Sequence, residues 1–170
     1  MLFEANAVGW EGWWACCGRR MEINGIAHIQ LTVSDFEACG RFYAPLMELF
    51  EMSLVFDDGD VKYWVGGRTA VAITRCAEPY RNERFVQQRV GLHHLCFRLR
   101  SRADVDEVYE LALGLGAKIV YPPQDGPWAP GYYSVAFEDP DGIRLEVNYV
   151  PGKGNLDPSI QLPKPRPLVP

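Results

Sequence analysis

One segment occurs twice in this chain, and that repeat limits the fold more than any other feature. "GIAHIQLTV" (25–33) aligns with "GLHHLCFRL" (91–99), so that Gly25 meets Gly91, His28 meets His94, Leu31 meets Phe97 and Val33 meets Leu99. Each copy runs into a helical pattern. In the first, "SDFEACGRFYAPLMELF", Ser34 or Asp35 is the expected N-cap and Phe36, Phe42, Tyr43, Leu46 and Leu49 form the apolar stripe. In the second, "SRADVDEVYELALGLG", Ser101 caps a stripe of Val105, Val108, Tyr109, Ala112 and Leu115, and Gly114 and Gly116 close it. Pro45 predicts a kink or an early end for the first helix, because proline removes a backbone donor and crowds the preceding turn.

Three strand candidates follow each helix. They are Met52–Phe56, Val61–Val65 and Thr69–Thr74 in the first half, then Lys118–Tyr121, Tyr133–Glu138 and Ile143–Val150 in the second. Each half therefore reads βαβββ, and neither alone can bury much surface. The expected fold class is α+β: paired βαβββ modules forming curved mixed sheets around a cleft. The expected domain spans 21–150, with module one at 23–75 and module two at 90–150. An N-terminal extension (1–20) and a proline-rich tail (151–170) flank it.

Bulk properties exclude several functions. A net charge of -5 over 170 residues lacks the basic face that nucleic acids require. No apolar run approaches the roughly 20 residues of a membrane span, and no basic n-region opens the chain as in a secretory signal. The 5 cysteines, Cys16, Cys17, Cys39, Cys76 and Cys96, include no CxxC, which fits a reduced, cytoplasmic setting.

Strand alternation then sorts the chemistry-bearing residues. Successive side chains on a strand point to opposite faces. The aliphatic face of each strand must cover the helices, because that buries the most apolar area. His28, His94 and Glu146 all fall on the opposite, polar face, whereas His93 falls on the helix side as a structural residue. Two imidazoles and a carboxylate suit a divalent ion, Fe2+, Mn2+, Ni2+, Co2+ or Zn2+. The same three residues also suit a wet cleft wall or a plain histidine–glutamate hydrogen bond. Trp128 and Tyr133 are candidates for covering an apolar ligand, Arg98 and Arg144 for pairing an anionic group, and Asn148 completes the substrate-binding set. "PPQDGPWAPGYY" (122–133) reads as a lid.

At "HIQLTVSDFEACGRFY", "GLHHLCFRL" and "FEDPDGIRLEV" the chain resembles the vicinal oxygen chelate superfamily. That group includes glyoxalase I, bleomycin- and fosfomycin-resistance proteins, methylmalonyl-CoA epimerase and extradiol dioxygenases. The resemblance covers about 23–150. It implies a divalent metal on His28, His94 and Glu146 that chelates vicinal oxygens of a small-molecule substrate, and a homodimer whose modules pair within or between chains. Ala72 stands where glyoxalase I has a further acidic ligand, and Ala136 stands where the dioxygenases have a tyrosine. The resemblance thus implies a dioxygenase-like or lyase-like enzyme, with a non-catalytic bleomycin-resistance-like binder of an aromatic ligand as the alternative.

Overall fold

The computed structural model describes residues 23–157; the expected extension and most of the expected tail lie outside the described residues. The first module runs β1 (His28–Val33), α1 (Phe36–Leu49), β2 (Ser53–Asp57), β3 (Val61–Gly66) and β4 (Thr69–Arg75). The second runs β5 (Leu95–Arg98), α2 (Arg102–Gly114), β6 (Lys118–Asp125), β7 (Tyr133–Glu138) and β8 (Arg144–Tyr149). The two mixed sheets share one topology, β1-β4-β3-β2 and β5-β8-β7-β6. In each, the first strand lies parallel to the last and the rest of the sheet is antiparallel.

Local chemistry explains the helices. Asp35 caps α1 by accepting from the Ala38 N–H at 2.9 Å. Ser101 and Asp104 form a reciprocal capping box at the start of α2. Pro45 does not end α1, which continues through it to Leu49. Phe42, Tyr43, Leu46 and Met47 around the proline are buried, and that packing outweighs the lost donor. The strand β6 extends past its expected end across Pro122 and Pro123. It is an edge strand with register shifts, where prolines are tolerated.

The helix-covered faces of both sheets merge into one core. Leu31, Val33 and Ile73 of the first module and Val135, Phe137 and Leu145 of the second belong to the same buried cluster. Phe42 meets Phe137 with ring centroids 6.3 Å apart, and Phe50 meets Phe97 at 5.0 Å. A polar clasp adds to this contact. The Tyr43 hydroxyl on α1 donates to Asp139 Oδ2 at 2.9 Å. The Ser34 hydroxyl donates to Asp141 Oδ1 at 2.6 Å, and the Ser34 N–H donates to the other oxygen of Asp141. Both aspartates belong to the "DPDG" turn between β7 and β8, whose own N–H groups at Asp141 and Ile143 donate to Asp139 Oδ1. With the helices inside, each sheet turns its other face away from the core.

Candidate functional site

On the open face of the second sheet, β8 carries Arg144, Glu146 and Asn148. Register sets Glu146 between Cys96 of β5 and Ala136 of β7. The Glu146 carboxylate is only 8% exposed, yet it is fully engaged by named partners. Its Oε2 lies 3.2 Å from His94 Nε2, and its Oε1 accepts from the Tyr132 hydroxyl at 2.5 Å. The imidazole is held from behind, because His93 Nδ1 lies 2.7 Å from His94 Nδ1. Gln87 in turn contacts His93 Nε2 at 3.0 Å. This chain of contacts fixes the plane of the His94 ring, as outer partners do for a ligating histidine.

The neighbouring hydroxyls are weak acids here. Burial pushes the Tyr121 phenol up to about 12, with the nearby Glu146 charge adding to the shift and the Ser134 hydroxyl opposing it. Burial likewise pushes the Tyr132 phenol well above its ordinary range, with its bond to Glu146 acting in the same direction. Both phenols therefore stay protonated and serve as donors. Asn148 is buried, and its Oδ1 has no hydrogen-bond partner among the described residues.

Several sequence expectations change. Alternation puts His93 on the helix side of a strand, but β5 starts only at Leu95. Released from the pleat, the exposed His93 reaches its neighbour instead of the core. Tyr133 is not on the site face. Its hydroxyl donates to Asp106 of α2 at 2.7 Å and the Arg102 guanidinium covers its ring at 3.7 Å. Tyr132, one residue earlier, takes the position at Glu146, and its parity with Ser134 and Ala136 was the sequence signal for it. Arg144 does lie on the site face but is tied to Glu138 at 3.0 Å. Trp128 stands beside Tyr132: a Cβ placed on Gly126 would be 3.0 Å from one ring and 3.3 Å from the other.

His28 is on the other sheet, exposed, in register with Ala70. His28, His94 and Glu146 do not form one donor group within a chain: among the described residues no three His, Cys, Asp or Glu side chains are grouped to hold a metal ion. A single chain thus supplies two of the three expected donors at this point. Register also confirms the place of Ala72, which sits between Gln30 and Tyr63 as Glu146 sits between Cys96 and Ala136. The open face around it is uncharged, with Thr74, Val61, Tyr63 and Val65 as neighbours. No helix among the described residues is long and apolar enough to cross a membrane.

Comparison with known proteins agrees with this architecture. The model of the Glyoxalase/Bleomycin resistance protein/Dioxygenase superfamily matches residues 25–147. The uncharacterized protein YqjT of Bacillus subtilis is 32% identical over 122 residues, 71% of this chain and 94% of its own length. A glyoxylase/bleomycin resistance protein/dioxygenase domain from Frankia sp. EAN1pec superposes with a TM-score of 0.61 at 25% identity, covering 75% of this chain and 98% of that one. The fosfomycin resistance protein FosX of Mesorhizobium loti shares the fold, with a TM-score of 0.54 at 24% identity over 76% of this chain and 94% of its own. A βαβββ unit used twice, two sheets of identical strand order and a family match across both of them lead to one assignment: the chain belongs to the glyoxalase/bleomycin resistance protein/dioxygenase superfamily.

Proposed function

We propose that the chain is a metal-dependent small-molecule enzyme of this superfamily, working as a homodimer whose sites are shared between subunits. In each site His94 and Glu146 come from one copy and His28 from the other. The observation that carries this reading is the His94–Glu146 pair, set on an open face and braced by His93 and Tyr132. His28 is equally exposed on the other sheet and joins no group of three His, Cys, Asp or Glu among the described residues, which supports its being supplied to the site by a second copy of the chain. A divalent ion held by these three groups supplies Lewis-acid stabilisation to two adjacent oxygens of a substrate.

The chain's own residues have separate tasks. His93 orients His94 and accepts or donates at Nδ1 according to the tautomer of the pair. Tyr132 holds the proton of its hydroxyl against Glu146 Oε1 and excludes water from that side. The loop that carries Tyr132 and Trp128 must move for the second carboxylate oxygen to become free, which makes it the gate of the site. A dioxygenase-like or lyase-like reaction fits this donor set, since Ala72 leaves no fourth acidic ligand.

A second reading, a non-catalytic binder of an aromatic ligand, draws on one specific observation. Glu146, His94 and Tyr132 satisfy one another without any ion.

Subunit mixing tests the proposal. His28→Ala and Glu146→Gln each remove one donor, and each homodimer is expected to lose its metal. Random reassociation of the two makes hybrids with one intact site, recovering about a quarter of the wild-type metal content and turnover. No recovery, with near-stoichiometric metal in the wild type, would put both donors of one site in the same subunit, and metal retained by the His28→Ala homodimer would place His28 outside the site. Wild-type protein that binds ligand but takes up no iron, manganese, nickel, cobalt or zinc would establish the binder instead.

A further inference from the structure

The cations on the open face of the second sheet are not equivalent. Lys118 and Arg144 flank Glu138 and both pair with it, at 2.9 Å and 3.0 Å. Arg98, at the far end of the same face, is exposed and has no ion pair among the described residues. Its register partner is Asn148, two residues along β8 from Glu146, so Arg98 stands one strand over and two residues along from the centre of the site. The face thus carries, in Arg98, a guanidinium with no carboxylate partner among the described residues, in a chain whose net charge is -5.

The surroundings also offer apolar surface. Trp128 is 63% exposed, and both it and Tyr132 lie against Gly126. An indole left in water beside a site is a surface waiting for an apolar partner. The sheet that a second copy would bring over this face offers Phe56, Tyr63 and Val65, with His28 beyond them and, in the register of its described strands, no Asp, Glu, Lys or Arg on that side. A ligand that satisfies these elements needs an acid group at one end and an apolar, preferably aromatic, body.

We propose that this site takes an organic anion with an apolar body, its acid group bound by Arg98 and its body laid against Trp128. The proposal rests on the reading of this face as the ligand-binding face, but not on the metal. Arg98 is the specificity-determining residue, since a guanidinium matches the two oxygens of a carboxylate or phosphonate. Lys118 and Arg144 contribute less, because both are held on the shared Glu138 carboxylate, whereas Arg98 has no such tie.

The test is calorimetric binding to full-length protein, with metal removed by chelation and again after metal is restored. The probes are 3-phenylpropanoate, the neutral 3-phenylpropanamide, and acetate. The acid should bind roughly 10-fold to 100-fold more tightly than the amide, the range of a charge-assisted hydrogen bond, and acetate more weakly than both. Arg98→Gln should close the gap between acid and amide, and Arg98→Lys should keep part of it. Arg98 is exposed, so neither change threatens the fold. Equal binding of acid and amide, a gap that survives Arg98→Gln, acetate binding as tightly as the aryl acid, or no binding of any probe would each overturn the proposal. The metal states separate the two readings. A gap present in protein that never takes up metal would sink the enzyme reading and leave this one standing. Stoichiometric metal with no gap would do the reverse.

Discussion

Asp139 makes the stability of this protein depend on pH in the direction opposite to most carboxylates. It is 5% exposed in the "DPDG" turn. Burial pushes its carboxyl up from 3.8 to about 6, and the Asp141 charge adds to this; the Ile143 N–H and the Tyr43 hydroxyl oppose the shift without cancelling it. Because the folded pKa lies above the unfolded one, the native state binds more protons between roughly pH 4 and pH 6, and stability falls as pH rises through that window. A shift of about two units corresponds to about 3 kcal/mol in full. About 1 kcal/mol of it is recovered when pH is lowered from 7 to 5. Asp139→Asn keeps an acceptor for the two turn N–H groups and removes the charge. Urea unfolding of wild type and variant at pH 5, 6 and 7 isolates the term. The wild type should gain about 1 kcal/mol relative to the variant on going from pH 7 to pH 5. Tyr43→Phe, which removes a donor from the carboxylate, should move the same inflection to higher pH. A difference that stays flat, or that shrinks on acidification, would refute the reasoning.

Other changes have equally definite outcomes. Ser101→Ala removes the hydroxyl half of the capping box at the start of α2 and should cost about 1 kcal/mol, read as a drop of a few degrees in Tm. Gly66→Ala puts a Cβ 2.7 Å from Met52 Cγ and 3.0 Å from its Cα, so the β2–β3 pair must shift; about 1–3 kcal/mol of lost stability by urea denaturation is expected. Glu146→Gln keeps the shape of the side chain but halves its capacity to accept from both Tyr132 and His94. On the proposed metal-dependent reading it should lower metal content, measured by elemental analysis, while far-ultraviolet circular dichroism stays unchanged.

The repeat and the pleat made most of this fold readable. Two copies of one strand, each leading to a capped helix and three strands, specify βαβββ twice, and alternation along β8 puts Glu146 and Asn148 on one face with no further information. What failed was read across irregular backbone or across distance. His93 was assigned a face by a strand that has not yet begun at that residue. Tyr133 reads as a ligand-covering residue, but an odd step from Ser134 turns it toward α2. The relation of His28 to the other donors depends on how two modules pack. That follows from contacts such as Phe42 on Phe137 and Tyr43 on Asp139, between residues too far apart in sequence for any local period to register.

The turn between β7 and β8 has a consequence for how the two halves depend on each other. Its aspartates accept hydrogen bonds from Ser34 and Tyr43, both in the other half of the chain. Cut away from that half, the second βαβββ unit would keep both acids at a bend built to enclose them and lose the donors supplied from outside. The two units are alike, but the donors that quiet the second are written in the first. Severing the chain between β4 and β5 should therefore yield one partner that needs the other to fold, not two small proteins.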